Sequence, residues 1–127
     1  KNKIFKLSNK INLVINPKSV KKLITRNDII MTSGGTFMFE SLSFGKIVLA
    51  YENYHHQKNI INYLKNKRAL IKLPKSMRNM KIFIEKLFLD IKINPESYFA
   101  MQRRAYKLID NKGLDRSIKL IKKKLKI

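Results

Sequence analysis

A pair of glycines stands between a strand-like run and a helix-like run, and this unit constrains the fold more than any other feature of the chain. Residues 28–32 (DIIMT) are mainly apolar and of strand length, and Ser33, Gly34, Gly35 and Thr36 follow them directly. Apolar side chains at helical spacing continue to Gly45, a residue type that commonly ends helices in the left-handed conformation. Residues 47–51 (IVLAY) are again apolar and of strand length. The order predicts a strand, a glycine turn, a helix and a second strand.

The same alternation extends to both sides of this unit. Residues 11–15 (INLVI) are predicted to be a buried strand, followed by a helix that Asn16 caps and Pro17 begins. Residues 59–66 are predicted to be a helix and residues 69–73 a further strand. Because parallel neighbours need crossover connections, the expected fold class is α/β, with a Rossmann-like parallel sheet flanked by helices.

The rest of the chain is predicted to be helical. Apolar residues recur at three- and four-residue steps within residues 80–91, 98–108 and 114–125, which places each set on one face of a helix. We expect the first of these faces, within residues 80–91, to be buried. A chain of 127 residues has room for one compact domain, so residues 1–127 are expected to form a single domain with a helical C-terminus.

Composition excludes several kinds of site. The chain has no cysteine, which removes disulfides, thiolate metal ligands and cysteine nucleophiles. His55 and His56 have no further histidine or carboxylate pair at ligand spacing, so neither a metal nor a cofactor is predicted. No apolar run is long enough to cross a bilayer. The absence of cysteine fits a reducing compartment, and a cytoplasmic location is expected. The sequence begins with lysine and without a signal peptide, as expected for part of a longer chain.

The net charge of +21, from 29 Lys and Arg against 8 Asp and Glu, is the main argument for a nucleic-acid or anionic-membrane binder. Lysine, however, far outnumbers arginine and occurs in almost every segment, and only residues 119–126 concentrate it. Nucleic-acid binders tend to combine concentrated charge with arginine and aromatic groups at base-contacting positions. The pattern therefore favours a solvated basic surface over a nucleic-acid site. It leaves the lysine-rich last helix as a candidate for contact with a membrane surface.

The glycine turn has the features of an anion site. Gly34 and Gly35 allow a ligand to approach the backbone, and the free amides at the start of the next helix attract a phosphate. Glu40 lies one helical turn after Thr36, where its carboxylate can accept hydrogen bonds from ribose hydroxyls. The loop of residues 52–57 is expected at the same carboxyl edge of the sheet, where open α/β folds bind ligands.

The segment GGTFMFESLSFGKIVLAYENYHHQ resembles the donor-binding segment of family-28-type glycosyltransferases and of the related UDP-sugar hydrolases of pseudaminic acid biosynthesis. The resemblance implies the C-terminal half of a GT-B fold that binds a UDP-sugar. It implies contacts to the diphosphate from Ser33, Gly34, Gly35 and Thr36, to the ribose from Glu40, and to the sugar or its neighbourhood from Gln57. His56 is included as a further residue of the nucleotide-sugar site. The segment LIDNKGLDRSIKLI is similar to the end of the hydrolases, although Asn111 stands where they have glycine.

In both families the N-terminal domain supplies the catalytic histidine or the acceptor side, so the resemblance assigns no catalytic residue to this chain. The implied activity is that of a glycosyltransferase or a UDP-amino-sugar hydrolase in cell-surface glycan biosynthesis. The implied partners are a UDP-sugar and the N-terminal domain of the same protein. A lipid-linked acceptor would also place the last helix at the inner membrane surface. The alternative that remains is a basic nucleic-acid-binding module in which the glycine loop is structural.

Overall fold

The computed structural model describes residues 3–6, 11–110 and 112–126, and it is mixed α/β. In chain order the elements are β1 (Lys3–Lys6), β2 (Asn12–Ile15), α1 (Val20–Thr25), β3 (Ile29–Ser33), α2 (Thr36–Ser43), β4 (Ile47–Tyr51), α3 (Gln57–Asn66), β5 (Ile71–Lys72), α4 (Met77–Ile93), α5 (Pro95–Leu108) and α6 (Gly113–Leu125). The strands β3, β4 and β5 form a parallel sheet in that order, whereas β1 and β2 form an antiparallel pair. The α/β class and a parallel sheet with helices are therefore confirmed.

The central strand of the parallel sheet is β4. It pairs with β3 from Ile29↔Ile47 to Ser33↔Tyr51, and with β5 through Leu49↔Ile71 and Ala50↔Lys72. Residues 47–50 are buried. A continuous apolar, β-branched run is what a strand covered on both faces requires, and this explains why the sequence predicted the position of β4 well.

Two apolar clusters cover the two faces of this sheet. Because side chains alternate along a strand, Val48 and Ala50 contribute to one cluster and Ile47 and Leu49 to the other. The first cluster comprises Met38, Leu42, Val48, Ala50, Ile61, Leu64, Ala69, Leu70 and Ala105. The second comprises Ile47, Leu49, Leu73, Leu87 and Tyr98. Helices α2, α3 and part of α5 thus pack on one face, and α4 with the start of α5 packs on the other.

The connection from α2 to β4 turns at Gly45, the residue that the sequence predicts to end the helix. Gly45 has φ of 65°, a conformation that side-chain-bearing residues rarely adopt. Its amide donates to the carbonyl of Leu42, and the amide of Lys46 donates to that of Ser41. These two bonds are the pattern that closes many helices at a glycine. They let the chain turn directly into the buried strand.

The prediction that residues 11–15 form a buried strand is correct for the strand and wrong for its burial. The segment Asn12–Ile15 is a strand, but it pairs antiparallel with Lys3–Lys6 and leaves Leu13 and Ile15 exposed. Residues 7–11 are too few for the crossover that parallel neighbours need, so a hairpin is the pairing that this connection allows. The described parallel sheet consequently has three strands, not four.

The predicted start of α1 is also corrected. Asn16 does not cap this helix, because it takes the left-handed conformation with φ of 49°. Ser19 is the cap, and its side-chain oxygen accepts a hydrogen bond from the amide of Lys22 at 3.3 Å. Serine and asparagine serve equally well at this position, so the sequence offers two candidates and the path of the chain selects one.

The three late helices are present with nearly the predicted limits, but their apolar faces are buried to different extents. On α4, Met80, Phe83, Ile84, Leu87 and Ile91 pack toward the sheet, whereas Phe88 is exposed. On α5, Leu108 is exposed although Tyr98 and Ala105 are buried. No residue of α6 is buried. Periodicity defines the apolar face of a helix but does not supply the element that covers it.

Among the described helices, none combines the length and the apolar composition that crossing a bilayer demands.

Candidate functional site

The carboxyl ends of the three parallel strands lie at one edge of the sheet. Ser33, the last residue of β3, is opposite Tyr51, the last residue of β4, and β5 ends beside them at Lys72. The glycine turn, the loop of residues 52–56 and the segment of residues 73–75 therefore share this edge. It is the edge at which open α/β sheets bind ligands.

The glycine turn leads directly into an uncapped helix. Gly35 is the N-cap residue of α2, and no side chain makes a cap hydrogen bond there. A Cβ atom placed at Gly35 would meet nothing within 4 Å, so the backbone at this point faces open space. The first turn of α2 also lacks an acidic residue. The positive end of this helix is thus available to an acceptor from outside the chain.

Gly34 has a different role from its neighbour. A Cβ atom at this position would lie 2.9 Å from Cβ of Gln57 and 2.9 Å from Cδ1 of Ile61. Helix α3 therefore packs against the turn so closely that only glycine fits. The glycine pair consists of one residue required by packing and one residue that leaves the helix start open.

Glu40 lies on α2 one turn after Thr36, and its side chain is exposed. No described residue forms an ion pair with its carboxylate. Its backbone carbonyl, by contrast, accepts hydrogen bonds from the hydroxyl of Ser43 and the amide of Phe44. The backbone of Glu40 thus helps to end the helix, and its carboxylate is left to solvent or to a ligand.

Gln57, predicted to contact the sugar, and His56, predicted to belong to the same nucleotide-sugar site, differ in their surroundings. Gln57 is only 5% exposed, and its Oε1 accepts hydrogen bonds from the amides of Asn53 (3.1 Å) and Tyr54 (3.3 Å). Its carbonyl therefore holds the loop in shape. His56 is exposed and stacks on Tyr54, with ring centroids 5.7 Å apart. Nowhere in the described chain do three or more metal-ligating side chains come together.

Sequence reasoning missed a cluster of charged residues at this edge. The side chain of Glu52 is only 6% exposed and pairs with Lys72 and, at 3.0 Å, with Lys75. Lys72 also donates a hydrogen bond to Oδ1 of Asn62 on α3, at 2.8 Å. The hydrogen bonds from Lys72 and then Lys75 lower the pKa of Glu52 to about 2. The available signal was an acid directly after β4 and a lysine at the end of its parallel neighbour.

Two cavities open on either side of the pair formed by Glu52 and Lys75. The larger, of about 330 Å³, is mainly apolar and is lined by Met31, Tyr51, Glu52, Leu73, Pro74, Lys75, Met77 and Met80. The smaller, of about 220 Å³, is lined by Glu52, Asn53, Tyr54, His55, Lys58 and Lys75. The glycine turn, Glu40, His56 and Gln57 line neither cavity. The predicted residues therefore do not form the walls of these cavities.

Comparison with protein-family models, with curated proteins and with solved structures finds no match to this chain.

The close approach at Gly34 can be tested by substitution. Gly34→Ala is expected to lower the free energy of unfolding by about 1 to 3 kcal/mol, because the added methyl group overlaps Gln57 and Ile61. Gly113→Ala is a matched control, since a Cβ there meets nothing within 4 Å and alanine favours a helix. Urea denaturation of both variants would measure the difference. Equal stabilities for the two variants would contradict the packing role of Gly34.

The pairing of Glu52 can be tested through pH. A carboxyl group with a lowered pKa in the folded state stabilises the fold above its unfolded pKa, and this stabilisation is lost as the pH falls toward the folded value. For Glu52 the loss occurs between about 4.5 and about 2. The free energy of unfolding of the native chain should therefore fall more steeply over this interval than that of Glu52→Gln.

The same measurement contains its own control. The pKa of Asp90 is lowered by hydrogen bonds from Tyr98 and Asn94, and that of Asp110 by Arg116, so both contribute to the pH dependence of either protein. The native chain and Glu52→Gln differ only in the contribution of residue 52 to this pH dependence. Parallel curves from urea titrations at a series of pH values would rule out the proposed pairing.

Proposed function

We propose that the chain is the nucleotide-sugar-binding half of a GT-B enzyme, and that it binds the diphosphate of a UDP-sugar at the start of α2. The observation that supports this most directly is the uncapped N-terminus of α2 behind the open position at Gly35. Amide groups at a helix start and the positive end of the helix dipole together favour phosphate oxygens. Their location at the carboxyl edge of a parallel sheet also agrees with the usual ligand position in such folds.

The exposed carboxylate of Glu40 complements the helix start. A ligand with its diphosphate on the first turn of α2 extends over the next turn, where Glu40 lies. Hydroxyl groups of a ribose are suitable donors to an ionised carboxylate. This assignment gives the resemblance to the glycosyltransferases and hydrolases a physical basis, because each residue type matches the group that it is proposed to bind.

The surrounding charge also favours an anionic ligand. The cluster of Glu52, Lys72 and Lys75 carries two positive charges and one negative charge, so its net effect at this edge is attractive to phosphate. The chain as a whole carries +21. The leaving UDP gains negative charge as the bond to the sugar breaks, and fixed positive groups stabilise that charge in the transition state.

The reaction proposed for the complete enzyme is substitution at the anomeric carbon. A hydroxyl group or a water molecule forms a new bond to that carbon, and the bond to the β-phosphate oxygen breaks with its electron pair passing to UDP. In this scheme the chain binds and stabilises the leaving group, and a partner domain supplies the acceptor side and the proton transfer. No residue of this chain is assigned a catalytic role.

The rival function is nonspecific binding of nucleic acid by the basic surface. It predicts affinity for RNA or DNA that falls steeply with salt, without stabilisation of the fold by UDP. The proposed function predicts the opposite pattern, namely a rise in the melting temperature with UDP. A salt series with RNA and a melting series with UDP would separate the two.

The helix-start site is tested most sharply at Gly35, where a side chain fits without steric conflict. In Gly35→Asp the new carboxylate would accept the first-turn amide hydrogen bonds and occupy the place of the phosphate. We expect this variant to be more stable than Gly35→Ala by about 1 kcal/mol, and yet to bind UDP at least about tenfold more weakly. Thermal unfolding and calorimetry would measure both. Equal UDP affinity in the two variants would exclude the helix start as the diphosphate site.

The ribose contact is tested by combining a substitution with a change of ligand. Glu40→Ala is expected to weaken UDP binding by about tenfold or more, because a hydrogen bond to a charged group is lost. Glu85→Ala, which removes another exposed acid on α4, serves as the control. The native chain should also prefer UDP to 2′-deoxy-UDP, and Glu40→Ala should lose most of that preference. A preference that persists in Glu40→Ala would show that Glu40 does not contact this hydroxyl.

A further inference from the structure

Helix α6 presents an apolar face that no described residue covers. Its apolar stripe consists of Leu114, Ile118, Ile121 and Leu125, which recur at three- and four-residue steps and are all exposed. Leu120 is also exposed but lies off this stripe, among the cations of the opposite face. Neither of the two core clusters contains a residue of α6. The helix is thus amphipathic without a partner in the described fold.

Cations border the apolar stripe on both sides. At about 100° per residue, Lys122 lies roughly 70° to one side of the centre of the stripe and Lys124 roughly 90° to the other side, so the two lysines flank it. Lys119 and Lys123 occupy the opposite face, and Lys126 follows the last residue of the helix. Asp115 is the single acid within the helix, and Asp110 before it pairs with Arg116 at 2.7 Å. A surface that complements α6 must therefore be apolar in the middle and negatively charged on both sides.

We infer that α6 lies in the interface of an anionic membrane, parallel to its surface. In this position the apolar stripe enters the boundary of the acyl chains, and Lys122 and Lys124 extend toward the anionic headgroups. Nucleic acid matches the cations but offers no place for four apolar side chains. An anionic membrane matches both, and the net charge of +21 adds long-range attraction. The inference does not depend on the proposed nucleotide-sugar site.

The position of α6 makes it accessible to substitution. Because none of its side chains is buried, polar replacements on its surface leave both cores intact. Circular dichroism and melting temperature then verify that each variant keeps its helix content and stability. Differences in membrane binding can be attributed to the surface itself.

The first test compares two apolar residues that are adjacent in sequence and lie on different faces. Binding of the full chain to phosphatidylcholine vesicles with and without phosphatidylglycerol is measured by co-sedimentation. We expect binding only to the anionic vesicles, weakened about tenfold by Ile121→Asn because a buried apolar side chain is lost. Leu120→Asn should change it less than about twofold, since that residue faces water. Equal effects of the two substitutions, or no binding to anionic vesicles, would overturn the inference.

The second test compares lysines that flank the stripe with lysines on the far face. The double variant Lys122→Gln with Lys124→Gln should bind the anionic vesicles at least about tenfold more weakly, since each lysine near the membrane surface contributes to the attraction. Lys119→Gln with Lys123→Gln removes the same charge about one helix diameter from the membrane, where salt screens it, and should have a smaller effect. Equal losses would indicate attraction to any polyanion, and nucleic acid or an acidic protein would replace the membrane as the partner.

A spectroscopic measurement locates the helix directly. The chain contains no tryptophan, so a single introduced tryptophan reports its own surroundings. With anionic vesicles, Leu125→Trp should shift its emission to shorter wavelength and be quenched by brominated lipid, whereas Leu120→Trp should do neither. Quenching of both, or of Leu120→Trp alone, would contradict the proposed orientation.

Discussion

The pairing of β4 with both of its neighbours is the interaction on which the rest of the structure depends. Residues 47–50 are buried on both faces, and each of the two apolar clusters takes its side chains from alternate positions of this strand. The parallel direction of the three strands places the turn after β3 and the loops after β4 and β5 at one edge. The position of the candidate site at this edge is therefore a consequence of how the core is built.

This edge combines rigid and open parts. The side chain of Gln57 fixes the loop at Asn53 and Tyr54, and the cluster around Glu52 ties the ends of β4 and β5 to α3. A buried carboxylate requires paired cations, and Lys72 and Lys75 provide them. Gly35 and Glu40, in contrast, have their free surfaces toward solvent. The arrangement is that of a fixed frame around solvent-exposed groups, so the proposed ligand would have little of the site left to order.

The parts of the fold that the sequence predicted well are those determined by neighbouring residues. Strand β4 follows from a continuous apolar run, and the turn at Gly45 follows from a glycine at the end of an amphipathic segment. The parts that it missed depend on distant residues. The run INLVI has the composition of a buried strand, but its partner and its cover are decided elsewhere in the chain. Glu52 and Lys72 are separated by 20 positions, so their pairing emerges only when the parallel register is known.

The candidate site also combines a feature that neighbouring residues determine with one that distant residues determine. The position of Gly35 at a helix start was predictable from the local pattern, whereas the packing role of Gly34 depends on the approach of α3. The two glycines therefore do not give equal support to a ligand site. A glycine pair between strand and helix is commonly taken as one feature for ligand approach, but here Gly34 is explained by packing alone. Support for the proposed phosphate site therefore comes from Gly35, from the helix start that no side chain caps and from Glu40.

The positive charge of the chain illustrates how geometry adds to composition. A net charge of +21 is compatible with nucleic acid, with a membrane surface and with simple solvation, because charge alone contains no information on shape. On α6 the cations border an exposed apolar stripe on two sides, and this combination excludes simple solvation as a full explanation, since water does not favour the stripe. At the sheet edge the cations instead neutralise a buried acid next to an open helix start. The same residue type thus has two separate physical roles, bordering an exposed apolar stripe on α6 and pairing with a carboxylate at the sheet edge.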